Sequence, residues 1–241
     1  MESNMGGSGG FYAGIKRAME QAADWIWVSD DDAYLKDDAL KQASDYLEEQ
    51  PDLDKISAIC GKVIKNGKMD INHGKYYYKK GIRICEASIP AEMYEKKEFE
   101  MGSFTYVGTI MNKKKLLEAG LPNKDYFIYW DDLEHGIRMR KAGKIIGVPG
   151  IVAYHDVGEE GSGINWKLYY SYRNMIDTYR KHFSGVCYDY FCLKIRVKIF
   201  LNHMTGHKKL ELNILEEAFK NARQQKFGLH PVYRPGWKPG E

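Results

Sequence analysis

Cysteine is scarce: there are four in 241 residues, at positions 60, 85, 187 and 192, with no CxxC pair and no zinc-ligand spacing. That argues against a zinc ribbon or a redox motif, and reduced thiols in a cytoplasmic protein are the expectation. Long apolar runs are missing too. The most apolar late stretch, "VCYDYFCLKIRVKIFL", is interrupted by Asp189, Lys194, Arg196 and Lys198, so it is too short and too charged to span a bilayer. The opening "MESNMGGSGG" holds no apolar run, and no signal peptide is expected. The glycine-rich "GGSGG" has neither a preceding strand, nor the GxGxxG spacing of a dinucleotide fingerprint, nor the lysine of a P-loop. Excess charge is small, +3 in total, and nucleic acid is not an expected partner. No internal repeat is visible.

What is present can build a core. Apolar residues make up 44% and aromatics 13% of the chain, which argues against disorder. The charge is unevenly divided. From Asn165 to Glu241 there are 14 Lys and Arg against 6 Asp and Glu, a balance of +8, whereas the rest carries 22 against 27, a balance of −5. The basic end suits an anionic partner, such as a membrane surface or a phosphorylated acceptor; the alternative is a solvated basic face.

Periodicity supplies the elements. "FYAGIKRAMEQAA" has helical spacing, "DWIWVSD" reads as a buried strand ending at Asp30, and "LKDDALKQASDYLEEQ" reads as a helix stopped by Pro51. "KISAICGKVI" and "SFTYVGTIMN" read as strands, with residues 66–98 as a loop or hairpin excursion between them. "KKKLLEAG" is a short helix closed by Gly120, and "DYFIYWDDLEHGIRMRKAG" is a turn entering a helix closed by Gly143. "KIIGVPGIVAYH" gives two short strands, and from Trp166 the chain is mostly helical. This order predicts an α/β domain over residues 1–164 and an α-helical region over 165–241.

Three constellations carry chemistry. Asp30, Asp31 and Asp32 stand together where a strand leaves the sheet, a usual place for a ligand in an open α/β fold. Along an extended chain Asp30 and Asp32 point to the same side, and two hard oxygen ligands there suit Mg²⁺ or Mn²⁺ bridging a diphosphate. The alternative is a polar turn capping the next helix. Asp131 and Asp132 follow the aromatic run "FIYW" and open a helix, either as caps that favour the helix dipole or as a general base facing an acceptor hydroxyl. His155 ends a strand before the glycine-rich "GEEGSG" and is a candidate metal ligand.

Together and in this order, "NMGGSGG", "WVSDDDAYL", "YFIYWDDLEHGIRMRKAG", "VPGIVAYHDVG" and "WKLYYSYRNMI" resemble the family 2 glycosyltransferases of the GT-A fold, over roughly residues 4 to 182. The likeness is greatest to galactofuranosyltransferases of cell-wall and polysaccharide synthesis, and bacterial rhamnosyltransferases are similar through the same segments. The resemblance implies a GT-A-like mixed sheet flanked by helices, with an α-helical C-terminal tail. It implies a sugar-nucleotide donor, a glycan or lipid-linked acceptor, and Mn²⁺ or Mg²⁺ as cofactor. By position, Asp30 and Asp32 match the carboxylates that hold the metal on the donor diphosphate, and His155 matches the histidine that completes that site. Asp131 matches the base that deprotonates the acceptor, with Asp132 and Trp130 on the acceptor side. Gly6, Gly7, Asp31 and Arg173 fall on the donor side, with Arg173 expected to reach the donor phosphates. The galactofuranosyl group has a histidine two residues before that arginine; here the position is Ser171.

In the family about three strands that grip the nucleoside precede the Asn-x-Gly-Gly segment. Only 29 residues precede Asp30 here, so those strands are expected to be absent from this chain. The expected activity is inverting, metal-dependent transfer of galactofuranose from UDP-galactofuranose. The alternatives are dTDP-rhamnose as donor, or a non-catalytic glycan-binding or assembly subunit. "YDYFCLKIRVKIFLNHMTGHKK" mixes aliphatic, aromatic and basic residues, and if helical it stacks Phe191, Ile195, Lys198/Ile199 and Asn202 in a stripe. Such a helix would either lie on an anionic membrane surface, at the inner face of the cell membrane, or pack on its own domain or a second subunit.

Overall fold

In a computed structural model of the chain, residues 4–158, 163–183, 185–205 and 210–239 are described. The chain opens with helix α1 (Gly6–Met19), strand β1 (Trp25–Val28), strand β2 (Ala33–Leu35) and helix α2 (Ala39–Glu48). The long strand β3 (Ile56–Lys65) follows, then β4 (Lys68–Met69) and the hairpin β5 (Gly74–Lys80) and β6 (Arg83–Ser88). Next come β7 (Phe99–Met101), β8 (Ser103–Phe104), β9 (Thr109–Asn112), α3 (Lys113–Ala119), α4 (Asp131–Ala142) and β10 (Lys144–His155). Three helices close the chain: α5 (Lys167–His182), α6 (Val186–Met204) and α7 (Leu210–Arg223).

The main sheet runs β1-β9-β3-β10-β2, with β4 added to β3 and β7 to β10. Only the β3–β10 pair is parallel; the other pairings are antiparallel, so the sheet is mixed. A second sheet, β6-β5-β8, lies within residues 74–104, and of the loop or hairpin expected between the two strand-like runs the structure has the hairpin. The observed class is therefore the expected one, an α/β mixed sheet flanked by helices with helices at the C-terminal end. β3 is buried along most of its length, as a run of Ile, Ala, Cys and Val between two covered faces requires. One apolar layer lies under α1 and α4 (Ile15, Ile26, Met111, Met139), and the other lies under α2 (Tyr46, Ile59, Ile146, Ile151). Each such side chain contributes on the order of 2 kcal/mol when fully buried.

Local readings differ from the structure at four places, the first being the helix read from Leu35, which begins only at Ala39 with Leu35 in β2. The helix expected after "GGSGG" begins inside it, at Gly6. Gly6 has φ +67°, and a Cβ there would lie 2.0 Å from the Phe127 carbonyl oxygen, so this glycine is a close-packing point for the loop before α4. "SFTYVGTIMN" is divided into β8 and β9, which belong to different sheets. "KIIGVPGIVAYH" is one strand, β10, whose register on β3 shifts between Gly147 and Val152; Pro149 interrupts the ladder without ending the strand. The ends of α3 and α4 fall as expected, with Gly120 and Gly143 at the C-caps and φ +77° at Gly120.

Candidate functional site

The acidic motifs reach one cleft by different routes. After β1 the chain turns through Asp30, Asp31 and Asp32, with the Ala33 N–H donating to the Asp30 carbonyl at 3.3 Å. β2 then pairs with the far end of β10, placing Ala33 opposite His155. Sheet register thus brings the imidazole to the aspartates. His155 Nε2 lies 3.0 Å from Asp32 Oδ1 and 3.6 Å from Asp30 Oδ2, and one ligand atom from each of the three lies within 4.8 Å of the others. The aspartates converge through a turn rather than along an extended segment. Burial raises the Asp30 carboxyl, His155 opposes the rise, and the like charges of Asp32 and Asp31 add to it. Crowded carboxylates beside one imidazole are relieved by a divalent cation, and this two-oxygen, one-nitrogen donor set could hold one.

Asp131 is delivered by a strained loop. Phe127, Tyr129 and Trp130 have φ of +68°, +66° and +70°. Such left-handed non-glycine residues each cost about 1–3 kcal/mol and persist only where the surroundings hold them. The holder is α5. The Asn174 amide lies 3.0, 3.0 and 2.8 Å from the carbonyls of Tyr126, Ile128 and Tyr129. Arg173 donates to the carbonyls of Tyr126 at 2.8 Å and Gly228 at 2.9 Å. Arg173 is 1% exposed and lies between the rings of Tyr169, Tyr170 and Phe227. It is absent from the cleft lining. Its guanidinium is satisfied by backbone carbonyls and aromatic faces, and it clamps the loop that presents Trp130 and Asp131.

A second buried network supports α4 from below. Burial pushes the Glu134 carboxyl up, but His182, Arg138 and Lys181 outweigh it and hold it at about 2. Arg138 in turn donates to the carbonyls of Ala119, Gly120 and Leu121. His135, fully buried between the Tyr106 hydroxyl and the Gly120 carbonyl, is pushed down to about 3 by burial. At the helix start, burial pushes Asp131 up to about 6; the helix N–H groups and the Ser8 hydroxyl pull it back, and Asp30 adds to the rise. Burial and the charge of Asp131 raise Asp132 as well.

The cleft has a volume of about 690 Å³, and its lining includes Gly7, Asp30, Asp31, Asp32, Trp130, Asp131, Asp132 and His155. Of the residues singled out from sequence, only Gly6 and Arg173 stand outside it. Lys65, Asp70, Tyr129, Lys167 and Ser171 also line it, and apart from Ser171 the sequence did not single them out. Lys65 is found only through register, opposite His155 on β3, and Lys167 only through its place over the Tyr129 ring at 5.7 Å. A second groove of about 520 Å³ shares Gly7, Phe11, Asp30 and Asp31 with the cleft and runs between α1 and the edge strand β1. Residues 159–162 of "GEEGSG" lie outside the described residues.

No family model matches the chain. It is 24% identical over 159 residues to galactofuranosyltransferase GlfT1 of Mycobacterium tuberculosis, covering 65% of this chain and 51% of that protein. It is 20% identical over 265 residues to galactofuranosyltransferase GlfT2 of Mycolicibacterium smegmatis, covering 92% of this chain and 40% of that protein. The chain thus spans about half the length, or less, of the curated relatives it matches. Among solved structures it is similar to GalNAc-T7 with UDP, GalNAc and Mn²⁺, at TM-score 0.48 and 11% identity, covering 70% of this chain and 34% of that one. By sequence, the chain is a distant homologue of the galactofuranosyltransferases GlfT1 and GlfT2.

Proposed function

We propose that the chain carries the catalytic centre of an inverting, metal-dependent glycosyltransferase that moves galactofuranose from UDP-galactofuranose to a hydroxyl of a cell-wall or polysaccharide glycan. The observation that carries this reading is the meeting, in one cleft, of the Asp30–Asp32–His155 cluster and a buried carboxylate at Asp131. Asp30, Asp32 and His155 would hold Mn²⁺ or Mg²⁺. When bound, the ion would supply charge neutralisation for the leaving diphosphate.

The remaining roles follow from the residues themselves. Lys65 and Lys167 bring positive charge to the cleft and suit the flanks of a diphosphate. Trp130 and Tyr129 offer apolar ring surface for a sugar, next to the polar rim of Asp132. Asp131, with its pKa pushed up to about 6, is ionised at neutral pH yet more basic than an ordinary carboxylate, which suits a general base. It takes the acceptor proton as the acceptor oxygen bonds to the anomeric carbon and the carbon–oxygen bond to the diphosphate breaks. One displacement inverts that centre and needs no side-chain nucleophile.

Calorimetric titration of the chain with UDP, with and without Mn²⁺, tests the donor half of this reading. UDP binding that requires Mn²⁺ and is lost in Asp32→Ala is the expected result. A folded chain that binds no UDP in the presence of Mn²⁺ would sink it. Transfer from UDP-galactofuranose that depends on an added glycan tests the acceptor half.

A further inference from the structure

Helix α6 is apolar on two faces. The stripe expected from sequence, Phe191, Ile195 and Ile199, packs inward against α5 and α7 with Ile176 and Leu215. A second stripe is left in solvent. Val186, Leu193, Val197, Phe200, Leu201 and Met204 are between 48% and 70% exposed. At 3.6 residues per turn these six fall within an arc about 100° wide.

Cations flank that arc on both sides. Lys194 and Lys198 follow one edge; Arg196 follows the other, beside Asp189 and a His203 that is paired with Glu216 at 2.9 Å. Beyond Arg196 a depression of about 440 Å³ is lined by Arg180, Arg196 and Arg223, with Asp189 its one acidic lining residue. Arg180 is held by Asp177 at 2.7 Å. Among the described residues neither Arg196 nor Arg223 pairs with a carboxylate; Arg223 lies over the Phe219 ring instead, at 5.8 Å. A protein partner would have to bury these lysines in an interface, where they are disfavoured. A bilayer surface accepts both features, with apolar side chains entering the acyl boundary while Lys and Arg extend to lipid phosphates. Among the described residues no helix is long and apolar enough to cross a membrane, so the contact is one of lying on, not spanning.

We propose that α6 docks in the plane of an anionic membrane surface, with Leu193, Val197 and Phe200 in the acyl boundary and Arg196 and Arg223 on lipid phosphates. The surface stands apart from the cleft, and its test is separate from UDP binding. The test is co-sedimentation of the full chain with vesicles of phosphatidylcholine alone and of phosphatidylcholine with phosphatidylglycerol in equal parts. Binding to the anionic vesicles that weakens with salt is expected. Leu193→Ser with Phe200→Ser, and separately Arg196→Gln with Arg223→Gln, should each reduce it by about tenfold or more. The altered leucine and phenylalanine are exposed, so circular dichroism and UDP binding should be unchanged. No binding to anionic vesicles by a folded chain overturns the proposal. So does equal binding to both vesicle types. A concentration-dependent dimer that the Leu193→Ser/Phe200→Ser variant dissolves, without vesicle binding, would also overturn it and assign the face to a second copy.

Discussion

Asp32 and Asp131 line the same cleft and are built in opposite ways. Asp32 sits on a turn, with 47% of its side chain exposed, beside an imidazole and two other aspartates. Asp131 is 6% exposed, at a helix start behind three left-handed residues. Under the proposed function the same carboxyl group would serve two tasks. A wet, crowded cluster attracts a cation, whereas a dry carboxylate holds its proton more tightly and becomes the stronger base. The positions they occupy, sheet turn and helix N-terminus, are what separate the two environments.

The largest expected break in this contrast is Asp131→Asn. It should lower kcat for transfer by about 10²–10⁴-fold while leaving Mn²⁺-dependent UDP binding intact. In the parent, kcat should fall as pH drops below about 6, because the base is then protonated. A variant that loses UDP binding as well would place Asp131 in the donor site. Asp32→Ala should do the reverse: on the order of 100-fold weaker Mn²⁺-dependent UDP binding by calorimetry, with little change in urea midpoint, because the side chain is exposed.

A smaller effect probes the loop. Asn174→Ala removes the amide that faces three carbonyls and should cost about 2 kcal/mol in urea unfolding. If α5 positions the base, kcat should fall in this variant with the UDP dissociation constant unchanged. The smallest effect sharpens the contrast by pH. The Asp131 carboxyl is raised from 3.8 to about 6, so the folded chain binds this proton more tightly than the unfolded one. Its contribution favours folding below the lower value, and that benefit is lost as pH rises through the higher one. Asp131→Asn should therefore raise Tm by a few degrees at about pH 7.5 without metal, and by little near pH 4, in differential scanning calorimetry. Equal shifts at both pH values would mean that the carboxyl is not held protonated by burial.

The acidic motifs were legible in sequence because consecutive aspartates and a strand-end histidine are local signals. The clamp was not legible. Arg173 was expected at the donor phosphates because its segment resembles one placed there in the family, and no local pattern reveals that Tyr126 and Gly228, 47 and 55 residues away, supply its acceptors. Lys65 escaped notice for the same reason, since only the parallel pairing of β3 with β10 brings it beside His155. On α6 two apolar stripes lie on opposite faces; the sequence reading picked out the one that packs inward and passed over the exposed one. The interruption at Pro149 looked like a strand end because it removes a ladder donor, yet register can shift past such a gap.

The separation of 123 positions between Asp32 and His155 gives this arrangement a folding consequence. The contact depends on the pairing of β10 with β2, which joins segments far apart in sequence. A cation bound there has no counterpart site in the unfolded chain, so its binding energy adds to global stability by mass action, about 2.7 kcal/mol at a hundredfold excess over Kd. Metal supply would then regulate the lifetime of the folded chain against proteolysis as well as its occupancy by donor.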